Sequence, residues 1–192
     1  ELAKRGATVD LYEAQEKLGG QFLLAHQIPG KEEFAETLRY YQHELDRHGV
    51  RIHLGTRFEP TDVGAAQDKG DPFKAVAWCA GIRPRLPSIP GNDLPIAVPY
   101  DKVLRGEVEV GQRVALIGAG GIGFDVAEYL VEDEDLSLNT DKWLSHWGID
   151  KNYTNEGALT EKSYTPSSRE VFLLQRKTSK VGKGLGKTTG WI

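Results

Sequence analysis

The 192-residue sequence predicts an α/β fold in which parallel strands alternate with helices. From Gln112 onward, an apolar strand pattern, a glycine-rich turn and an amphipathic helix follow one another directly. Near the beginning, a helix end that stops at Gly6 leads into the alternating strand pattern ATVDLYE. Units of this kind pack into doubly wound sheets that bind nucleotides at the carboxyl ends of their strands. The sequence therefore predicts Rossmann-like nucleotide-binding units, truncated at both ends.

The composition is ordinary for an α/β protein, with 39% hydrophobic and 27% charged residues. A net charge of −4 gives no reason to expect nucleic acid or an anionic membrane as a partner. No apolar run approaches the ~20 residues of a membrane span and no signal-peptide pattern is present, so we expect a cytoplasmic location. Cys79 is the only cysteine and the five histidines lack metal-ligand spacing, so we expect no metal site.

The clearest helix pattern of the first half is KEEFAETLRYYQHELDRHG. Its apolar residues Phe34, Leu38, Tyr41 and Leu45 fall on one face, and Gly49 ends it. Beyond it the sequence predicts, in order, a short strand VRIHLGT, a polar loop or hairpin tip at 59–72, a buried strand FKAVAWCAG and an irregular proline-rich connection IRPRLPSIPGNDLP.

The second half predicts a strand, a glycine turn and a helix within QRVALIGAGGIGFDVAEYLVE. A polar insertion at about 132–168 follows, with one short helix, DKWLSHWG, that has Thr140 as its N-cap. We expect Trp143 and Trp147 to pin this helix to the core, because they lie on the same face. A final strand within REVFLLQRK is predicted to end at Gln175.

The strongest chemical signal is the spacing of Gly118, Gly120 and Gly123 between that strand and that helix. The first glycine permits a tight turn, the second lets the backbone approach a pyrophosphate, and the third lets the helix pack closely on the sheet. The helix then presents N–H groups and the positive end of its dipole to the phosphates. The motif predicts a dinucleotide site that includes Gly121 and Ile122. The alternative is a glycine turn of structural use only.

The end of the next strand indicates which dinucleotide binds. An NAD site carries an acidic residue there, about 20 residues after the glycines, to bind the ribose 2′-hydroxyl. Here the insertion delays the strand, and Gln175, Arg176 and Lys177 stand at its end. A guanidinium and an ammonium suit a 2′-phosphate, so NADP(H) is favoured over NAD(H). The alternative is that the two cations only solvate a loop.

The opening stretch predicts a second nucleotide site. Glu13 ends its strand where a ribose-binding carboxylate belongs, which favours FAD, although surface glutamates also end strands. The loop that follows contains Gly19 and Gly20, which let the chain pass close beside a bulky cofactor. The chain has no methionine and begins at Glu1, so we expect a piece of a longer protein with the first glycine turn upstream.

Five stretches of the sequence go beyond a generic nucleotide-binding pattern: LGGQF, IPGKEEF, CAGIRPR, GAGGIGFDVA and, above all, LQRKTSKVGKGLGKTTGWI. Together they resemble the bacterial-type 2,4-dienoyl-CoA reductase (NADPH) family, which is related to trimethylamine dehydrogenase and to the larger relatives of old yellow enzyme. The resemblance spans essentially the whole chain. It implies an FMN barrel, a 4Fe–4S cluster, an FAD domain and an NADP(H) domain inserted into the FAD domain. This chain would supply a partial FAD-binding domain at 1–87 and a partial NADP(H)-binding domain at 88–192.

The resemblance also implies cofactor contacts for individual residues. Glu13 would bind the adenosine ribose of FAD, and Gln21 and Lys31 would contact its diphosphate region. Phe58 would offer backbone contacts near the adenine, and Ala80 and Gly81 would line the FAD path. The residues implied to hold NADPH are Gly118, Gly120, Gly121, Ile122, Gly123, Arg176 and Lys177.

The function implied by the resemblance is to bind NADPH and FAD so that hydride passes from one to the other. In the parent enzyme, electrons would continue through the cluster to FMN and reduce a 2,4-dienoyl-CoA thioester in fatty acid β-oxidation. The family's acid–base residues, cluster cysteines and FMN site have no counterpart here, so we expect no catalytic residue and no activity from this segment alone. Its partners would be the remainder of its own chain and the acyl-CoA substrate. The alternative is a non-catalytic ADP-binding module like that of trimethylamine dehydrogenase.

Overall fold

In the computed structural model, the chain forms two compact units. The structure describes residues 1–70, 72–132 and 136–186. The first unit comprises Glu1–Leu23 and Glu33–Arg83, and the second comprises Leu24–Glu32 and Pro84–Ile192. The cofactor assignments predicted for 1–87 and 88–192 stay predictions.

The first unit is built on two parallel strands joined by a helical crossover. Strand β1 (Asp10–Tyr12) pairs with strand β2 (Arg51–His53) so that Asp10 lies opposite Arg51 and Tyr12 opposite His53. Its elements are a 3₁₀ turn (Ala3–Arg5), β1 (Asp10–Tyr12), the start of α1 (Phe22–Ala25), α2 (Phe34–Arg47), β2 (Arg51–His53) and α3 (Pro60–Asp68). Parallel neighbours need such a crossover because one chain cannot turn back to the same strand end without it.

Helix α2 confirms the helix predicted from the periodic pattern. Phe34, Leu38 and Leu45 are partly buried on one face, whereas Tyr41 is exposed, so the buried face is narrower than predicted. The helix is followed by Gly49, whose φ of 63° lies in the left-handed region that favours glycine. An ion pair at 2.6 Å between Lys4 Nζ and Glu44 Oε2 links the 3₁₀ turn to the helix.

The carboxylate of Asp10 joins the two strands of the first sheet. Its oxygens lie 2.5 Å from Arg51 Nη2 and 2.8 Å from His53 Nε2, both on the neighbouring strand. Burial raises the pKa of the Asp10 carboxyl, but the hydrogen bonds from Arg51 and His53 outweigh burial and hold that pKa below its usual value. The His53 ring also stacks on Tyr12, with centroids 4.4 Å apart. These contacts fix the register of a sheet that is only three residues long on each strand.

Replacing Asp10 by Asn should therefore destabilise the first unit in a pH-dependent way. At pH 7 we expect a loss of about 1–3 kcal/mol in the free energy of unfolding, because a charged hydrogen-bond acceptor is removed. The folded-state pKa lies below the ordinary value of 3.8, so this stabilisation is complete above pH 4 and is lost as the pH falls through the lower folded-state pKa. Denaturation of the wild-type and variant full-length proteins from pH 7 to pH 3 measures the difference.

The matched control is Glu36→Gln, which removes an exposed ion pair with Arg39. It should change stability far less at every pH because exposed pairs are screened by solvent. A difference between wild type and the Asp10 variant that stays constant down to pH 3 would show that the carboxylate charge is not what stabilises the strand pair.

The second unit carries the glycine turn on its own pair of parallel strands. Strand β3 (Arg113–Ile117) pairs with β4 (Glu170–Leu174) over its full length, with Val114 opposite Val171 and Ile117 opposite Leu174. Its elements are α4 (Tyr100–Leu104), β3 (Arg113–Ile117), α5 (Gly121–Val131), α6 (Thr140–Trp147), a 3₁₀ turn (Glu156–Ala158) and β4 (Glu170–Leu174). The strand and helix predicted on either side of the glycines are confirmed.

The core of the second unit includes side chains from a segment that precedes α2 in the sequence. Leu24 and Ile28 are 4% and 1% exposed and pack with α4 and α5. The full set of buried hydrophobic side chains is Leu24, Ile28, Val103, Leu104, Val126 and Leu130. The segment is also held by hydrogen bonds, because Gly30 N donates to Ser137 Oγ at 3.2 Å.

The polar insertion folds around α6 and a capped loop. The helix ends at Gly148, whose φ of 68° is left-handed, and Ile149 bridges to Leu159. The Asp150 carboxylate accepts hydrogen bonds from the Thr154 hydroxyl and from the backbone N–H groups of Asn152, Thr154 and Asn155. The Thr154 hydrogen bond and these N–H donors outweigh desolvation and lower the pKa of Asp150 to about 2.

Two predictions about the first unit are wrong. Residues 59–72 contain helix α3 rather than only a loop, and a reciprocal cap between Glu59 and Asp62 starts it, with Pro60 at the first helical position. The stretch FKAVAWCAG forms no strand, and Val76 and Trp78 in it are exposed. An apolar run becomes a strand only with a partner for its backbone, and no described strand pairs with it.

Smaller corrections concern the second unit. The N-cap of α6 is Asn139 rather than Thr140, because the Asn139 side-chain oxygen accepts from Lys142 N at 3.1 Å. Trp143 and Trp147 are 42% and 50% exposed, so they do not pin α6 to the core. Instead, Trp147 packs against His146, and the Lys162 ammonium lies 5.3 Å from its ring centroid. The last strand ends one residue earlier than predicted, at Leu174.

Candidate nucleotide-binding sites

The glycine turn of the second unit connects β3 to α5 as the motif predicts. Gly118 has a φ of 125°, and its N–H donates to Leu174 O at 2.9 Å, which ties the turn to the end of β4. Gly120 is the N-cap of α5 and has extended backbone, so no side chain stands over the first N–H groups of the helix. An 11-residue helix with a bare N-terminus at the carboxyl end of a parallel strand can bind a pyrophosphate.

The third glycine of the motif is required by a backbone contact. A Cβ at Gly123 would lie 2.0 Å from Gly118 O and 3.5 Å from Leu173 Cδ1. In contrast, a Cβ at Gly120 or Gly121 would meet nothing within 4 Å. Gly123 therefore allows α5 to pack closely against the end of β3. Gly120 and Gly121 face open space in which a ligand can approach the backbone. Ile122, which is 48% exposed, also borders this space.

The turn after β4 carries the basic residues that the sequence singled out. The Gln175 side chain donates to Ser179 O and closes this turn on itself. Arg176 and Lys177 are exposed, and no ion pair of either side chain occurs within the described part of the chain. The sequence from Gln175 to Gly186 contains no acidic residue. Two uncompensated cations at the end of β4 are therefore available to an anionic ligand.

Lys31, predicted to contact the FAD diphosphate region, has a carboxylate partner within the second unit. Its Nζ lies 2.6 Å from Asp125 Oδ1 on α5, and both side chains are 27% exposed. Burial raises the pKa of the nearby Glu128 carboxyl. The positive charge of Lys31 lowers that pKa, and the negative charge of Asp125 raises it further. The Lys31 cation therefore compensates part of the negative charge along α5. Sequence analysis missed Asp125, because no spacing rule connects residues 94 apart.

In the first unit, Glu13 follows β1 directly and is fixed by its surroundings. Its N–H donates to His53 O at 3.0 Å, and its carboxylate accepts from Gln15 N at 2.8 Å. The second carboxylate oxygen has no hydrogen bond in the described residues, which leaves an acceptor for a hydroxyl donor. The carboxylate therefore stands at the end of a parallel strand, as a ribose-binding acid must.

The loop after Glu13 needs its glycines for two different reasons. A Cβ at Gly19 would lie 2.9 Å from both Leu23 Cγ and Leu38 Cδ1, so this residue is pressed against the unit's own side chains. Gly20 has a φ of 50° and open space around it, and Gln21 beside it is exposed. The backbone at the second glycine is thus accessible from outside.

Aromatic rings surround the next predicted contact, Phe58. Its ring lies 4.6 Å from Tyr12, 5.6 Å from Phe73 and 5.8 Å from Trp78, measured between centroids. Sequence analysis did not find this cluster, whose only signal was the aromatic content of three separate segments. The packing fixes the backbone of Phe58, the part predicted to contact the adenine.

Ala80 and Gly81 follow the cluster in an exposed segment without regular secondary structure. Gly81 has a φ of 71°, and a Cβ there would meet nothing within 4 Å. The roles predicted for these two residues, as for the others in both sites, stay predictions. Among the described residues, no group of three His, Cys, Asp or Glu side chains could hold a metal ion. The helices in that part of the chain are too short or too polar to cross a membrane.

Comparison with known families gives one match that covers most of the chain. The model of the pyridine nucleotide-disulphide oxidoreductase family matches residues 1–139, which include Glu13 and the whole glycine turn. The chain belongs to this family. Its members bind FAD and NAD(P), and the open backbone at the glycine turn fits such a dinucleotide.

Individual relatives carry several oxidoreductase activities in their names. A metal reductase of Desulforamulus reducens is 26% identical over 193 residues, which cover 98% of this chain and 27% of that protein. A bilirubin reductase of Mediterraneibacter gnavus is 33% identical over 67% of this chain and 19% of that protein. An NADH oxidase of Thermoanaerobacter brockii is 31% identical over 68% of this chain and 20% of that protein. The aligned regions thus span about a fifth to a quarter of these curated relatives.

A solved structure supports the fold of this family member. A complex of 2-naphthoyl-CoA reductase with 2-naphthoyl-CoA is similar with a TM-score of 0.56, over 97% of this chain and 32% of that chain. The two sequences are 20% identical, so the likeness concerns the fold alone. The sequence-based prediction of a Rossmann-like α/β fold is confirmed. The more specific resemblance to 2,4-dienoyl-CoA reductases stays a prediction.

The contact at Gly123 gives a test of the oxidoreductase fold itself. Gly123→Ala should lower the free energy of unfolding by at least about 2 kcal/mol, because the new methyl group would overlap Gly118 O and force backbone to move. Chemical denaturation of the full-length protein without added nucleotide measures the loss.

The control is Gly121→Ala, which adds the same atom in open space within a helix. It should leave stability unchanged or raise it by up to about 1 kcal/mol, because alanine is the better helix former. Equal losses in the two variants would contradict the close approach of Gly118 and Gly123.

Proposed function

We propose that this chain is the NADPH- and FAD-binding segment of a flavin oxidoreductase that reduces 2,4-dienoyl-CoA thioesters. The observation that carries the cofactor part of the proposal is the junction of β3, α5 and β4. A bare helix N-terminus stands there next to a turn with two uncompensated cations and no acidic residue. A pyrophosphate suits the first feature, and a 2′-phosphate suits the second.

The residues of the second unit would bind the dinucleotide without taking part in bond making. Backbone N–H groups of the first turn of α5 would donate to the pyrophosphate, and Gly118, Gly120 and Gly121 would allow it to come close. Arg176 and Lys177 would pair with the 2′-phosphate, which carries close to two negative charges near neutral pH. A guanidinium presents two parallel donors to a phosphate, so Arg176 would orient the group as well as attract it.

The residues of the first unit would hold the flavin nucleotide at its adenosine end. The unoccupied lone pairs of the Glu13 carboxylate would accept from the ribose hydroxyls, and the open backbone of Gly20 beside Gln21 would border the diphosphate. The chemistry that these groups would supply when bound is hydride transfer from NADPH to FAD. The chain's own contribution would be to bind and orient both.

The acyl-CoA part of the proposal rests on the long motif that begins at Leu174 and runs to the end of the chain. The motif resembles that of 2,4-dienoyl-CoA reductases over more residues than a nucleotide fingerprint requires. Its last part, 187–192, lies outside the described residues. The FMN barrel, the 4Fe–4S cluster and the acyl-CoA pocket would belong to other parts of the same protein, and the cytoplasm would be its location.

The preference for NADPH can be tested with Arg176→Ala/Lys177→Ala in the full-length protein. The dissociation constant of NADP⁺ should rise at least tenfold, because two charge-assisted hydrogen bonds of roughly 1.5–3 kcal/mol each are lost and ~1.4 kcal/mol is one decade. The dissociation constant of NAD⁺ should change less than twofold, since NAD⁺ has no 2′-phosphate. Isothermal titration calorimetry at low and high ionic strength measures both, and the loss should be smaller at high salt.

The control for this experiment is Lys151→Ala/Lys162→Ala, which removes the same net charge from the polar insertion. It should leave both constants within twofold of the wild-type values. Equal losses of NADP⁺ and NAD⁺ affinity in the Arg176/Lys177 variant would mean that the turn serves the fold or the shared pyrophosphate site, and the proposed NADPH preference would be wrong.

The substrate can be tested with a panel of acceptors. With NADPH as reductant, the full-length flavoprotein should reduce a 2,4-dienoyl-CoA thioester with a kcat/KM at least 100-fold above that for bilirubin, a ferric chelate or oxygen. The difference arises because a conjugated thioester pocket discriminates by transition-state contacts. A higher kcat/KM for any of the other three would replace the proposed substrate. Failure both to bind NADPH and to reduce any acceptor would favour the non-catalytic ADP-binding module instead.

A further inference from the structure

We propose that a contact between Phe124 and Gly182 holds the basic turn beside the first turn of α5, and that Lys183 contributes a third cation to the 2′-phosphate site. The basic turn comprises Gln175–Lys183. The inference rests on the proposed NADP(H) site and names a positioning residue and a specificity residue for it, neither of which the glycine motif includes.

The contact itself is close enough to require a glycine. A Cβ at Gly182 would lie 3.2 Å from Phe124 Cζ and 3.3 Å from Leu185 Cδ1, and the φ of Gly182 is 80°. Phe124 is the fourth residue of α5, so its ring brings the end of the basic turn to the helix terminus that would receive the pyrophosphate. Without this ring, the turn would be held mainly at its other end, where it leaves β4.

Backbone hydrogen bonds keep this region compact. Lys183 N donates to Lys180 O at 3.2 Å, and Leu185 N donates to Gly182 O at 3.0 Å. Two successive turns therefore fold the chain back on either side of Gly182. Gly182 belongs to both turns, and the Phe124 ring lies against it, since a Cβ there would be 3.2 Å from Phe124 Cζ.

The charges of the basic turn are all of one sign. Its four cationic residues are exposed, and no ion pair of their side chains occurs within the described ranges. They are Arg176, Lys177, Lys180 and Lys183. Like charges on a compact segment repel one another, so its folded form becomes more stable when a dianion binds there. A phosphate monoester dianion is the ligand chemistry that such a turn selects, and the 2′-phosphate of NADP(H) is its source at this site.

Lys183 is the residue of this set that the Phe124 contact most directly positions, because it follows Gly182 in the chain. Phe124 carries no charge and would not touch the phosphate, so it acts only by placing the cations. This difference in roles predicts that substituting Phe124 lowers NADP⁺ affinity only while the cations are present. Neither Phe124 nor the cations should affect NAD⁺ affinity.

The test uses the full-length protein and calorimetric titration with NADP⁺ and NAD⁺. Lys183→Ala should raise the dissociation constant of NADP⁺ by about 3- to 10-fold, the loss expected for one partly screened cation, and leave that of NAD⁺ within twofold. Lys183→Arg should restore most of the NADP⁺ affinity. Lys162→Ala, which removes one cation from the insertion, should change neither constant by more than twofold.

Phe124→Ala should likewise raise the NADP⁺ constant at least threefold without changing the NAD⁺ constant, and Phe124→Leu should lie between it and wild type. In a protein that already carries Arg176→Ala, Lys177→Ala and Lys183→Ala, adding Phe124→Ala should raise the NADP⁺ constant less than twofold further, because the positioned cations are gone. A purely structural role of the ring would give the same loss in both backgrounds.

The outcomes separate this inference from the proposed function. If Arg176→Ala/Lys177→Ala leaves the ratio of the NADP⁺ and NAD⁺ constants unchanged, the proposed NADPH preference fails and this inference fails with it. If Arg176→Ala/Lys177→Ala removes the difference between the NADP⁺ and NAD⁺ constants while Lys183→Ala changes the NADP⁺ constant no more than Lys162→Ala does, the cofactor preference stands. Lys183 is then only a solvated lysine. Equal NADP⁺ and NAD⁺ losses in Phe124→Ala and in Phe124→Leu would show that the ring supports the shared pyrophosphate site and would overturn its positioning role.

Discussion

The close approach of Gly123 to Gly118 O is the constraint on which the second unit depends. Only a residue without a Cβ allows the first turn of α5 to lie against the end of β3, because a Cβ would come within 2.0 Å of that oxygen. The approach sets the axial position of the helix relative to the sheet. It thereby determines where the bare N-terminus points and which side of the helix Phe124 occupies. The nucleotide-binding geometry is thus a consequence of packing between two backbones.

The second unit also depends on residues that are distant in the sequence. Leu24 and Ile28 complete the apolar core under α5, and Lys31 provides a cation next to Asp125. Without this segment, Val126 and Leu130 would lose part of their cover and a helix face with several carboxylates would lose its counter-ion. The unit is therefore a product of two separate stretches of chain, and a fragment beginning after residue 84 would lack part of its own core.

The elements that could be predicted from the sequence are those whose residue pattern arises from contacts between neighbours in the chain. The glycine spacing, the alternation in β3 and the periodicity of α2 each reflect contacts within a few residues or one turn, so they are visible in the sequence. Helix α3 also had a local signal, the cap formed by Glu59 and Asp62, but its few small side chains give almost no apolar face. The cap pattern was therefore the better indicator there than periodicity.

Several of the other wrong or missing predictions concern residues whose contacts lie far away in the chain. The apolar run around Trp78 is equally compatible with a strand and with an extended segment packed through its rings, and only the presence of a pairing strand decides between them. The same holds for candidate site residues. Glu13 and the glycines could be found from local sequence, whereas the ion pair of Lys31 and the contact of Phe124 with Gly182 exist only after the chain has folded.

Binding of a dinucleotide and the choice between NAD(H) and NADP(H) depend on different parts of the second unit. The N-terminus of α5 offers about half a positive charge and several N–H groups to a pyrophosphate, and that group is the same in NAD(H) and NADP(H). Stronger binding there increases both affinities equally and discriminates nothing. Selection must come from the turn after β4, where the 2′-position lies in a Rossmann-like unit. Relatives named as an NADH oxidase and as other reductases share the fold, so family membership leaves the cofactor open. In the proposed site, the choice would then depend on the few side chains of one turn and on the glycine and aromatic ring that hold it against the helix.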